Sequence, residues 1–283
     1  MVIKAVNIMD EKEIRQLIEE GRAHLRTGYS ENSYPDYQTD QQLKRPQPPL
    51  VKAPMRQEAI DLPMDFEGIE IETDFLTIVN RRSSHRVYTE EEISLKQLSY
   101  LLWCMQGVKE IRGRAYATLR TVPCGGARHP FETYMALRKV EGLQDGLYHY
   151  LPMGHKIEFL GWLEDLKGFM GASLMGQVWA AKANIIFYFS IIFYRSEWRY
   201  GIHAHRGLMT DAGHITENLY LACTALGIGG CAIGAVDGKL CDEVFGLDGE
   251  EESIVYAQPV GMVCDQDKDK EQDFYAFVKE QDL

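Results

Sequence analysis

The chain has 283 residues, of which 45% are hydrophobic and 25% charged, and a formal net charge of −12. This length buries a substantial core in one large domain or two small ones, and the acidic balance argues against nucleic acid and anionic membrane surfaces, both of which are bound by basic surface. The longest apolar runs, 185–192 and the stretch around Leu219, fall well short of the roughly 20 residues a membrane-spanning helix needs, and no apolar signal segment stands at the N-terminus. A cytoplasmic protein is therefore expected.

From Lys12 to Leu25 the apolar residues Ile14, Leu17 and Ile18 fall at the spacing of a short amphipathic helix that stops at Gly28. Residues 29–66 then hold Pro35, Pro46, Pro48, Pro49, Pro54 and Pro63 with little periodicity, which reads as an extended arm of the kind that often packs on another subunit. The division that follows is an N-terminal helix and arm over 1–70 and a main domain over 71–283. In that domain Phe75–Val79 reads as a short helix feeding the loop Arg81-Arg82-Ser83. Ser94 and Gln97 form a capping box ahead of Leu95, Leu98, Leu101, Leu102 and Met105 at helical spacing, with Gly107 ending the helix.

Phe131–Val140, Gly146–Leu151 and Lys156–Leu160 are short, aromatic or β-branched and separated by Gly or Pro, so they read as a strand meander. Leu163 to Lys182 reads as helix, Asn184–Phe193 as a central strand, Asp211–Leu226 as helix and Glu252–Met262 as a late strand. Strands interleaved with helices predict an α+β fold with helices covering a mixed sheet.

Two stretches concentrate positive charge, hydroxyls and bare backbone: Arg81-Arg82-Ser83-Ser84-His85-Arg86 and Thr121-Val122-Pro123-Cys124-Gly125-Gly126-Ala127-Arg128-His129-Pro130. Guanidinium groups bind phosphate through paired charge-assisted hydrogen bonds, and consecutive glycines let a ring system approach the main chain. The pair predicts a pocket for a phosphorylated, planar ligand, although the two arginines also suit a solvated helix terminus. The run Gly227-Ile228-Gly229-Gly230-Cys231-Ala232-Ile233-Gly234 is not a dinucleotide fingerprint. It follows a helix instead of opening one, so the negative end of the dipole would repel phosphate.

Six cysteines without a Cys-x-x-Cys pair suggest neither zinc nor a disulfide framework, and His203-x-His205 lacks a further ligand, so no metal is expected. Asp211 and His214, at i and i+3, suit helix capping as well as a ligand-site or interface role. Trp103, Trp198 and Tyr200 suit packing by residue type.

The ordered blocks resemble the nitroreductase superfamily, and within it the SagB-type dehydrogenase, or azoline-oxidase-like, branch. The blocks are Arg81-Arg82-Ser83-Ser84, Leu98–Trp103 with Gln106-Gly107, Thr121–Glu132, Gly146–Tyr150, Trp198–Gly201, Asp211–His214 with Asn218-Leu219, and Leu226–Gly229. The resemblance implies a mainly antiparallel α+β fold and a homodimer with FMN at the subunit interface. Arg81, Arg82 and Ser83 would hold the FMN phosphate and ribityl chain, with His85 as a neighbour. The family's Pro-Ser-Gly-Gly segment falls on Pro123, Cys124, Gly125 and Gly126, with Cys124 in place of serine and so a weaker donor. Backbone donors of Ala232, Ile233 and Gly234 would lie beside flavin N5.

In the azoline-oxidising branch a Lys-Tyr pair stands where this chain has Arg199-Tyr200. Arginine keeps its proton, so Tyr200 is the candidate proton-transfer group and Arg199 an anchor for an anionic group. The implied activity is two-electron hydride transfer through the flavin, from NADH or NADPH to a nitroaromatic, quinone or similar small acceptor. The alternative is oxidation of azolines in peptides to azoles with dioxygen as acceptor; a further one is a flavin- or peptide-binding module without turnover.

Overall fold

The computed structural model describes residues 10–26 and 36–264, and singly Asp273, Ala276 and Glu280. The expected stop at Gly28 and Pro35 lie outside the described residues. The first element, α1 (Glu11–Leu25), forms as its pattern predicts, with Asp10 and Glu13 in a capping box. None of its residues is buried, so its apolar stripe of Ile14, Leu17 and Ile18 stays exposed. The described part of the arm packs on its own chain. Gln41 N donates to Trp198 O (2.8 Å), and β1 (Ile60–Asp61) pairs with β6 (Lys156–Gly161).

The body is a seven-stranded sheet in the order β1-β6-β5-β4-β7-β9-β8, with β4 (Phe131–Leu137), β5 (Gly146–Leu151), β7 (Ile185–Ile192), β8 (Ile228–Gly230) and β9 (Glu252–Met262). All its strand pairs are antiparallel. Among the described residues, parallel pairing is confined to the isolated bridges Ser84–Gly230 and Ile93–Val140. The strand β7 lies between β4 and β9, as its continuous apolar run requires. Its alternate side chains serve opposite faces: Ile185, Phe187, Phe189 and Ile191 join the core under α3 (Leu95–Gln106) and α6 (Ala204–Ala225), while Ile186 and Tyr188 join the core under α4 (Leu166–Ala172) and α7 (Gly238–Phe245).

The α3 boundaries match the capping box. Ser94 Oγ accepts from Gln97 N (3.1 Å), and the Gln97 amide oxygen accepts from Ser94 N (2.8 Å). The Ser94→Ala variant is expected to lose about 1 kcal/mol. That should read as a fall of roughly 2–4 °C in thermal melting.

Several elements differ from the sequence expectation. The helix expected over 163–182 splits into α4 and a 3₁₀ segment, Val178–Lys182, because Met175 and Gly176 adopt positive φ. The helix expected from Asp211 begins at Ala204, which puts Asp211 two turns inside α6 and ends its reading as a cap. The hairpin of β2 (Val108–Arg112) and β3 (Ala117–Arg120), the helix α5 (Phe193–Tyr200) and α7 were not foreseen. Among the described residues no helix is long and apolar enough to cross a membrane.

Candidate active site

The basic loop follows α2 (Phe75–Arg81), which Asp74 caps through Thr77 N (2.8 Å). Arg81 is largely exposed and lies 3.8 Å from Glu72, while the Arg82 guanidinium sits 5.4 Å from the Tyr220 ring centroid. Ser83 Oγ and His85 Nε2 are hydrogen-bonded (3.0 Å). Beyond them the loop runs along β8: Ser84 bridges to Gly230, and His85 N donates to Gly230 O (3.0 Å). A Cβ on Gly229 would meet the His85 Cβ at 2.7 Å, so this approach requires glycine.

The Tyr220 hydroxyl, projecting from α6, is hydrogen-bonded to Ser84 Oγ (3.0 Å) and accepts from Ala232 N (2.7 Å). The fold thus joins Arg81–His85 and the 227–234 loop into one half-site. Of the three backbone donors assigned to the flavin edge, two are taken by protein acceptors, Ala232 N by Tyr220 and Ile233 N by Ala257 O (2.8 Å). Gly234 N, exposed, is the one with no acceptor among the described residues.

The second loop forms another half-site. Pro123 is exposed ahead of a single 3₁₀ turn, Gly125–Ala127, in which Gly126 has φ 58°. A Cβ there would lie 2.6 Å from both Arg199 Nε and Tyr200 Oη, so the last turn of α5 closes directly over this glycine. Asp211, buried on α6, accepts from Gly125 N (3.1 Å) and from the Cys124 thiol (3.0 Å), and Cys124 Sγ accepts from His129 N (3.1 Å). Burial, and next the Asp211 charge, push the Cys124 thiol well above its usual range, so it stays protonated and ties down the loop. Burial and the Arg120 charge lower His129 to about 3, which makes it neutral.

Asp211 and Tyr220 are nine residues apart on α6. At about 100° and 1.5 Å per residue, they lie on opposite faces and about 14 Å apart along the axis. Within one chain the two half-sites are separate. His205, of the His203-x-His205 pair, is hydrogen-bonded to Glu197 (2.7 Å). Trp198 is a packing residue whose indole N–H donates to Arg45 O (3.0 Å).

Sequence reasoning missed Tyr220, which lies off the apolar stripe of its helix and belongs to no motif. It also gave no individual role to Arg128, although that residue lies within the second loop.

A mainly antiparallel sheet with helices on both faces, carrying a basic loop zipped to β8 and a glycine loop closed by α5, is a nitroreductase-like α+β fold. The chain belongs to the nitroreductase family, whose sequence model matches residues 78–262; its members are generally oxidoreductases. It is similar to the nitroreductase-like protein MJ1384 of Methanocaldococcus jannaschii, at 32% identity over 71% of this chain and 95% of that one. It is also similar to the trifolitoxin-processing protein TfxB of Rhizobium leguminosarum bv. trifolii, at 30% identity over 49% of this chain and 38% of that protein, a relation consistent with the SagB-type branch. A nitroreductase-like crystal structure from Ralstonia eutropha JMP134 shares the fold, with a TM-score of 0.60 at 24% identity over 78% of this chain and 96% of the other.

Proposed function

We propose that the chain is an FMN-dependent oxidoreductase that works as a homodimer, with NADH or NADPH as donor and a nitroaromatic, quinone or similar small molecule as acceptor. The observation that carries this reading is the half-site in which Tyr220 ties Ser84 to Ala232, because it sets two arginines and a serine beside a backbone edge bare enough for a flat ring. The donor set fits FMN: Arg81, Arg82 and Ser83 are suited to its phosphate and ribityl chain, His85 to the same loop, and Gly234 N to a ring acceptor. When bound, FMN supplies two-electron hydride chemistry.

The second half-site, with Pro123, Cys124, Gly125, Gly126, Arg199 and Tyr200, faces away on α6, so a complete site calls for a second copy of the chain. The exposed apolar residues Phe75, Leu76 and Val79 on α2, with Ile202 and Met209 near α6, are the surface such a copy would cover. Tyr200, half-buried with the Arg199 guanidinium 5.6 Å from its ring, is the group suited to hold or move a substrate proton. Arg199 keeps its charge and serves as an anchor.

The similarity to a trifolitoxin-processing protein favours one second reading, the oxidation of peptide azolines with dioxygen as acceptor. Purified protein should carry, or take up, a chromophore with flavin absorbance and then oxidise NADH or NADPH in the presence of a quinone. Flavin binding with azoline oxidation and no nicotinamide oxidation would favour the second reading. Failure to bind FMN at all would sink both.

A further inference from the structure

Two guanidiniums beside Gly126 have no carboxylate partner among the described residues. Arg128 is 4% exposed, donates Nε to Gly126 O (3.1 Å) and one terminal nitrogen to Tyr116 O (2.8 Å), and its other terminal nitrogen meets no acceptor among the described residues. Arg199 donates one terminal nitrogen to the Tyr116 hydroxyl and holds Nε against Gly126. Both cations therefore converge on one phenol, with the Arg128 guanidinium 4.8 Å from the Tyr116 ring centroid. Trp198, 5.5 Å from Arg128, and Tyr200 add aromatic walls.

Arg138 and Arg195, each 3% exposed, provide the contrast, because Glu90 and Glu132 pair with them. Holding the buried Arg128 cation beside the partly exposed Arg199 cation is costly unless an anion joins them. The strain registers in Arg128, whose pKa is lowered by burial and further by Arg199. In a chain of net charge −12, carboxylates are abundant, yet none among the described residues is paired with these two. The slot offers free fork donors, aromatic faces and a bare glycine, the combination that suits an oxyanion attached to a flat or peptide-like body.

We propose that Arg128 and Arg199 form an oxyanion subsite that recognises a carboxylate or phosphate group on the reacting molecule. The inference rests on the oxidoreductase reading and narrows its substrates to acidic ones, the anion being carried either by the acceptor or by the nicotinamide donor.

The test is calorimetric titration of the full chain with two matched pairs, 4-nitrobenzoate against 4-nitrobenzamide and NADPH against NADH, while flavin content is read separately by absorbance. The member carrying the additional anionic group, the carboxylate of nitrobenzoate or the extra phosphate of NADPH, should bind about tenfold more tightly in at least one pair, as expected for one charge-assisted hydrogen bond. A preference for nitrobenzoate assigns the anion to the acceptor, and a preference for NADPH assigns it to the donor. The preference should vanish in Arg199→Gln and be largely restored in Arg199→Lys, which keeps the charge. Arg128→Gln should behave like Arg199→Gln; because Arg128 also holds two backbone carbonyls, Arg199→Gln alone decides if that variant does not fold. Equal or absent binding within both pairs, or a preference that survives Arg199→Gln, overturns the subsite. A flavin-free chain that still selects the anion keeps the subsite and removes the redox reading.

Discussion

Replacing Glu132 with glutamine is expected to cost about 3–5 kcal/mol of stability, the scale for breaking a buried ion pair by removing one partner. The Glu132 carboxylate is 1% exposed and accepts from Arg195 (2.5 Å), His149 Nε2 (3.3 Å) and the arm's Lys52 N (3.2 Å). His149, stacked on Tyr134, bonds Glu158 through its other nitrogen (2.7 Å), and Glu158 in turn accepts from Met55 N (3.0 Å) and Arg56 N (2.7 Å). Lys52 Nζ completes the clasp on Tyr134 and Glu252. Without the Glu132 charge, Arg195 is left buried with no counter-ion, and the arm's Lys52 N bonds a neutral amide in place of a carboxylate. The variant should unfold at lower denaturant and be cleaved sooner near residues 52–56; wild-type values in both measurements would refute this account.

The network also sets a pH window. Burial works against the His149 charge, but hydrogen bonds to Glu132 and Glu158 outweigh it and raise the pKa above 6.5. That share of stability is complete below about pH 6.5, the ordinary imidazole value, and is lost as pH climbs through the raised folded value. Burial would also raise Glu132 and Glu158, yet Arg195 and His149 hold the first, and His149 with the Met55 and Arg56 amides the second, below the usual 4.5. Their share is present above that value and is lost on acidification.

None of this clasp was legible in the sequence. Lys52, Glu132, His149 and Glu158 lie up to 106 positions apart, and a prolyl arm carries no periodicity to say what it docks against. What could be read was local. The α3 capping box, the meander of β4 to β6 and the apolar β7 are fixed by nearest-neighbour chemistry and by burial on two faces, and each formed close to the expected residues. The helix over 163–182 failed because its apolar spacing continues through Met175 and Gly176, where the backbone turns left-handed. The basic and glycine loops were legible as charge and bare backbone. Their separation onto opposite faces of α6 was not, since it rests on long-range bonds, of Asp211 to Gly125 N and of Tyr220 to Ser84 Oγ, that carry no local signal.

The paired substitution Arg81→Ala with Arg82→Ala is expected to weaken FMN binding by several kcal/mol, from about 1.5–3 kcal/mol for each charged hydrogen bond to phosphate. The free protein gives up little for it. Arg81 is largely exposed and only 3.8 Å from Glu72, an exposed-pair geometry of small worth, and Arg82 contributes one cation–π contact to Tyr220. Without FMN the variant should therefore melt close to wild type. Ligand that binds only the folded state raises the melting temperature by mass action, so added FMN should stabilise wild type and leave the variant nearly unmoved. Tyr220→Phe separates charge from architecture: it keeps both arginines but removes the hydroxyl that joins Ser84 to Ala232, and should lose part of the same stabilisation. If the double variant retains FMN as wild type does, these arginines are a solvated helix end and the phosphate must be held elsewhere.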